Sequence, residues 1–226
     1  MKKMICALIA LMLMLPAAAL ASDLEITQEA FYVTPFLSYY AGAIYCEVTN
    51  MTDRIMEITG GTYELFGADG ASIDSGAIYS ITPDTIGPGE HAYIYLTKGV
   101  KDATSAEYIK SYSVNMVGKT AAEKEREYTI TDVRMEASEK RTRGITLSAT
   151  VVNDTDAPLG DITVVFAVYD ADGALLYAAA TSTLGLKLTP GSSGIIDTQV
   201  DRDIVNALAD KGIEPASVVA IAKGLW

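Results

Sequence analysis

The feature that most constrains the fold is an internal repeat. "VTNMTD" (48–53) returns as "VVNDTD" (151–156), and "YELFGADGA" (63–71) returns as "FAVYDADGA" (166–174), both at an offset of 103 residues with no gap between them. "LEIT" (24–27) and "YTIT" (128–131) lie 104 apart, and "IGPGE" (86–90) and "LTPGS" (188–192) lie 102 apart. Four matches in one order at nearly one spacing describe a duplicated domain. Each copy must therefore close its own core with roughly 100 residues. The boundary falls in the polar stretch "GKTAAEKERE" (118–127). The expected organisation is a first domain over 22–118, a linker over 119–126 and a second domain over 127–226.

Within each copy, short alternating runs are separated by turn residues, which is the pattern of an all-β sandwich. Strands are expected at 24–33, 42–50, 61–66, 72–80, 91–97 and 110–117, and again at 127–136, 144–152, 162–169, 174–181, 193–200 and 216–222. One helix is expected over Asp203–Lys211, with Ile204, Val205 and Leu208 on one face, Asp201 capping its start and Gly212 its end. The fold class is all-β: two tandem immunoglobulin-like β-sandwiches after a signal peptide.

The signal peptide is read from residues 1–21. Lys2 and Lys3 precede an apolar run from Met4 to Leu15, and Ala19-Leu20-Ala21 fits a cleavage site. The run is shorter than the roughly 20 residues that span a bilayer. No cysteine follows the cut, so a lipid anchor is not expected, nor is membrane insertion of the mature chain. The whole sequence has 17 basic and 29 acidic side chains, a formal charge of −12, and losing Lys2 and Lys3 takes this to −14. Nucleic acid and anionic lipid are poor partners for such a chain. Cys6 leaves with the leader, so Cys46 is alone and no disulfide can staple the mature protein.

Phe166-Ala167-Val168-Tyr169-Asp170, with Asn153-Asp154-Thr155 upstream and Pro190-Gly191 downstream, resembles the FxLYD domain, a small β-sandwich domain of exported bacterial and archaeal proteins. Val168 stands where that family usually has Leu. The first copy departs further, with Tyr63, Leu65, Phe66 and Gly67 across the motif, and joins the resemblance only through the repeat. The resemblance covers about 60 residues per copy and implies a non-catalytic, immunoglobulin-like module, with bacterial export to the cell envelope or beyond.

Two copies also sort the faces of the strands, because residues two apart share a face. Ile44, Cys46 and Val48 match Leu147, Ala149 and Val151, so this face is core, and Cys46 reads as a small buried hydrophobe. On the other face Tyr45 matches Ser148, while His91, Tyr93 and Tyr95 match Ser193, Ile195 and Asp197. Ten of the 13 tyrosines lie in the first copy. Tyr45, His91, Tyr93 and Tyr95 are thus the candidate ligand-binding residues, a flat aromatic platform for a glycan or an extended peptide. The rival reading is that the second domain covers this face, or that the tyrosines pack across neighbouring strands.

Other chemistry is sparse. His91 is the one histidine, so a nucleophile–histidine pair has a single possible base, set on a strand among tyrosines. Acids suffice in number for a carboxylate pair, but a sandwich of this size offers little concave volume, and no enzyme and no cofactor is expected. Zinc lacks a second His or Cys. Asp154, Asp156 and Asp170 are weak calcium candidates, with Asp161 and Asp172 near them in sequence. The Asp172-Gly173 pair, kept as Asp69-Gly70 in the first copy, reads first as a primed hairpin turn. Asn50-Met51-Thr52 and Asn153-Asp154-Thr155 have the form of glycosylation acceptors, but serve a turn more plausibly than a glycan. The functional expectation is an exported binding or adhesion-type module whose partner is a protein or glycan at the cell envelope. The alternative is a structural spacer or envelope-assembly protein.

Overall fold

The computed structural model describes residues 23–124, 126–137, 144–183 and 187–224. The expected leader lies outside the described residues. The first half of the chain forms β1 (Leu24–Phe36), β2 (Tyr39–Asn50), β3 (Met56–Phe66), β4 (Ser72–Ile78), the short β5 (Ile81–Thr82) and β6 (Thr85–Ile86), β7 (His91–Val100) and β8 (Ser111–Thr120). The second half forms β9 (Glu127–Ala137), β10 (Ile145–Val152), β11 (Ile162–Tyr169), β12 (Leu175–Thr183), β13 (Ser193–Gln199), helix α1 (Arg202–Asp210) and β14 (Ser217–Gly224). The protein is all-β in two sandwiches, and every strand pairing is antiparallel.

Strands β1–β8 pair only with one another, as do β9–β14, and the chain passes between the sets at 121–126. In the first set, one sheet has the order β1-β2-β7-β5, and β3 is flanked by β4 and β6 on one side and β8 on the other. In the second, the order is β12-β11-β14-β9-β10-β13. Here β9 joins both layers, pairing β14 through Glu127 and Tyr128 and then β10 through its later residues.

The cores follow the alternation. Ile44, Cys46 and Val48 of β2 lie with Ala92 and Ile94 of β7 against Met56 and Leu65 of β3, all 1% exposed or less. The matching Leu147, Ala149 and Val151 are likewise fully buried, against Val164, Phe166 and Val168 of β11. Helix α1 starts where Asp201 accepts a hydrogen bond from the Asp203 amide and is followed by Gly212 at φ +67°. Ile204 and Leu208 are its buried side chains.

The repeated segments are the joints of this architecture. Asn50 and Asn153 are 1% and 0% exposed. Asn50 Nδ2 donates to the carbonyls of Arg54 and Ile86, and its Oδ1 accepts from the Thr52 amide and hydroxyl. Asn153 repeats this with Ala157, Leu188 and Thr155. Each amide thus fills two donor and two acceptor positions, its whole capacity. Each asparagine also bonds by its backbone to the Pro-Gly turn, Asn50 to Gly89 and Glu90, Asn153 to Gly191 and Ser192. The Asn-x-Thr and Pro-Gly repeats are therefore two halves of one clamp. An amide so enclosed offers no nitrogen to a glycan.

The Asp-Gly turns differ in type from the expectation. Gly70 and Gly173 have φ of +79° and +81°, while Asp69 and Asp172 do not have positive φ. Backbone bonds Gly70 to Gly67 and Gly67 to Ala71, repeated as Gly173 to Asp170 and Asp170 to Ala174, mark a longer loop closed by a left-handed glycine. A primed two-residue turn would need the aspartate in the left-handed region as well.

Candidate functional site at the domain junction

The strands that carry the candidate tyrosines are neighbours, with Tyr45 opposite Tyr95, Glu47 opposite Tyr93 and Thr49 opposite His91. All six side chains lie on the face turned away from the first core. That face is not open. From Ala41 to Asn50 every residue of β2 is buried, which needs a layer on each side of the strand, and the second layer is the other domain.

Tyr45 is 4% and Tyr93 3% exposed, and both belong to a hydrophobic cluster shared with Phe166, Leu176 and Tyr177 of the second sandwich. The Tyr45 and Tyr177 rings stand 4.8 Å apart at 55°, and Tyr32 of β1 lies 6.2 Å from Tyr45. Lys211, just after α1, sits 5.1 Å from the centre of the Tyr32 ring, a cation–π contact. Gln28 Oε1 accepts the Leu175 amide of β12 at 2.8 Å. Tyr95 is half-buried at the rim, its hydroxyl 3.0 Å from Thr82 Oγ1. His91 is more open, its side chain 43% exposed. The expectation of an open four-residue platform is therefore corrected for Tyr45 and Tyr93, which the second domain covers, while Tyr95 and His91 stay partly exposed at the rim.

At the centre of the junction is a carboxylate, Glu47, only 6% exposed. Tyr169 of β11 donates to Oε2 at 2.6 Å, and Tyr93 lies 2.9 Å from the Tyr169 oxygen. Since Tyr169 spends its proton on the carboxylate, Tyr93 is the donor of that second bond. Thr27 donates to Oε1 at 3.0 Å, lies 2.7 Å from Thr49 Oγ1, and Thr49 lies 2.9 Å from His91 Nδ1. A bulge in β1 between Ile26 and Gln28 leaves Thr27 out of the ladder and beside Glu47. Burial pushes the phenol of Tyr169 far up, and its bonds to Glu47 and Tyr93 push it further. Burial also raises Tyr93 and Tyr45, and raises Tyr32 to about 12 with help from the Asp170 charge.

Glu47, Tyr32 and Tyr177 were not singled out from sequence, and Tyr169 entered only as the tyrosine of the Phe166–Asp170 signature. Alternation places Glu47 on one face with Tyr45, and Tyr169 and Tyr177 are two of the three tyrosines in the second copy. What hid them was the facing of one domain on the other, which no strand period encodes.

The calcium candidates do not converge. Asp154 and Asp156 line an open concavity of about 580 Å³ with Arg126, Tyr128 and Asp161. Asp170 is at the other end of β11, about 25 Å away by the rise of its eight residues. There its Oδ1 accepts the amides of Asp172 and Ala174, so it caps a turn. Asp154 accepts from Thr129 at 2.7 Å. No group of three metal-ligating side chains comes together among the described residues. No helix among them is long and apolar enough to cross a membrane.

No family model matches this chain, and no curated protein does. Among solved structures, red sea bream transglutaminase aligns at 11% identity and a TM-score of 0.21, over 77% of this chain and 27% of that one. The chain thus spans about a quarter of that structure's length. The CBM22-1–CBM22-2 tandem domain of Paenibacillus barcinonensis Xyn10C aligns at 9% identity and a TM-score of 0.17, over 91% of this chain and 87% of that one. Neither alignment assigns a function.

Proposed function

We propose that the protein is an exported, non-catalytic module of the cell envelope, of the FxLYD-like kind, in which two sandwiches act as one stiff spacer or assembly element for a protein partner. The observation that carries this reading is the use of the aromatic face: Tyr45 and Tyr93 are spent on joining the domains. Interfaces within a chain are commonly polar and mobile. Here ring contacts, a buried carboxylate and the linker bond of Lys124 to Glu90 at 2.5 Å and Glu127 at 2.7 Å tie the halves together. Lys223 of β14 reaches Asp84 of the first domain at 3.4 Å. An acidic surface favours solubility and argues against nucleic acid as the partner.

The test pairs ligand panels with crosslinking in the native envelope. The spacer reading expects no signal from glycan or peptide panels at neutral pH and a defined protein crosslinked from an exposed surface. A panel ligand whose binding is lost in Tyr93→Ala with Tyr95→Ala would overturn it and restore the platform.

A further inference from the structure

We propose that β8 is a self-association edge, along which two copies of the chain pair antiparallel about a two-fold axis at Asn115. This goes beyond the spacer reading and does not depend on it, since the contact needs no envelope partner.

β8 lies at the margin of its sheet and pairs only with β3. None of its 10 residues is buried. A strand so placed presents a row of free backbone N–H and C=O groups, a template for a further strand, and proteins blunt such edges with bulges, prolines, charges or a covering element. The other long edges are blunted in these ways. β1 has a bulge between Ile26 and Gln28 and a proline at Pro35. β12 lies against the first domain through Leu175 and Tyr177. β4 and β13 are shorter, and each carries an acid, Asp74 and Asp197. β8 has neither proline nor acid, and the irregularity in its pairing falls on β3, where Thr59 is the extra residue.

Charge selects the occupant. The whole chain has a formal charge of −12, so two copies repel over most of their surface. From Tyr108 to Ala122 there is no acidic residue, and the only charges are Lys110 and Lys119. Glu57 of β3 balances Lys119 at 3.1 Å. β8 is thus an edge along which two acidic chains can meet without opposing carboxylates.

Paired about Asn115, the strand also suits itself. On the exposed side Ser111 meets Lys119 and Ser113 meets Val117, which is 55% exposed. On the side that packs against the first core, Val114 meets Met116. No like charges stand opposite each other, an arrangement that would destabilise a strand pair. At the axis the two Asn115 amides face one another, and an amide both donates and accepts, so a like pair satisfies itself. One added strand covers less than the roughly 1,200–2,000 Å² of a stable interface. The dimer is therefore expected to be reversible and to build up with concentration. A two-fold contact of this kind closes at two copies.

The experiment is sedimentation of the mature chain over rising concentration, beside disulfide trapping of cysteine variants. Cys46 is fully buried and takes no part. Directly opposite residues in antiparallel strands have Cα atoms about 4.5–5.5 Å apart, within disulfide reach. Asn115→Cys is expected to crosslink to itself. Ser113→Cys and Val117→Cys are each expected to stay uncrosslinked alone and to crosslink when mixed. Asn115→Asp keeps the side-chain size but sets two like charges at the axis, and is expected to weaken the dimer about tenfold, with recovery in high salt. Strand circular dichroism checks that this variant is folded. A chain that stays monomeric to millimolar concentration overturns the proposal. So does a dimer that Asn115→Asp leaves unchanged, or crosslinking of Ser113→Cys alone to the extent of Asn115→Cys. None of these results bears on the spacer reading, which stands on crosslinking to an envelope protein.

Discussion

Asn153 and Asn50 show how one side chain can bind three segments of a domain. Each holds the strand that ends at it, the loop that follows and the Pro-Gly turn some 35 residues on. Asn153→Ala leaves the buried Leu188 carbonyl without this donor and frees the Thr155 hydroxyl and amide. With about 1 kcal/mol for each lost bond and more for a stranded buried group, the expected loss is about 3 kcal/mol. Chemical denaturation would show it as a lower midpoint at unchanged slope. Cys46 supports a second prediction. Burial, and then the charge of Glu29, pushes its thiol up to about 12, so the reactive thiolate is suppressed at neutral pH. A thiol reagent should react only as fast as the chain opens, and fast modification under native conditions would contradict the buried placement.

At the scale of elements, the alternating runs were legible because each strand has one face in its own core. The starts of β1, β7 and β9 fall where the alternation places them, and α1 lies within a residue of its caps. The β1–β2 pairing runs to Phe36 and Tyr39, three residues further on each strand than expected, and the expected β3 is cut short at a glycine pair. The Gly60-Gly61 pair looks like a break before a strand at 61, yet β3 begins at Met56 and passes through a bulge where Gly60 takes φ +148°. The β1–β2 hairpin gives the third prediction. Leu37 holds φ +56° at the first position of a two-residue turn and is 91% exposed. A left-handed conformation costs an L-residue roughly 1–2 kcal/mol, and glycine avoids most of it at some entropic cost. Leu37→Gly should therefore stabilise the first domain by up to about 1 kcal/mol, read as a higher melting temperature.

At the scale of the molecule, the two copies have diverged most where they meet. The positions of Tyr45, Glu47, Tyr93 and Tyr95 carry Ser148, Thr150, Ile195 and Asp197 in the second copy, where Ile195 is 74% exposed. That asymmetry was legible as a cluster of tyrosines, and its meaning was not, because a buried domain face and a binding face share one composition. The divergence also means that the docking surface is present once per chain, so the same contact does not propagate from copy to copy. It further predicts how the domains unfold. Tyr45 and Tyr177 fill each other's side of the junction, and burying each such side chain contributes roughly 1.5–3 kcal/mol. Separate domains would each expose one half of this surface, so the intact chain should melt in a single calorimetric transition at neutral pH. Tyr45→Ala combined with Tyr177→Ala removes ring contacts from the junction without touching Ile44, Cys46 and Val48, or Leu147, Ala149 and Val151, which belong to the two cores. The expected result is two resolved transitions, one per sandwich, with the strand signal intact before the first. A single transition that merely shifts down would mean that the sandwiches are coupled by the linker bonds of Lys124 and the Lys223–Asp84 pair rather than by the aromatic face.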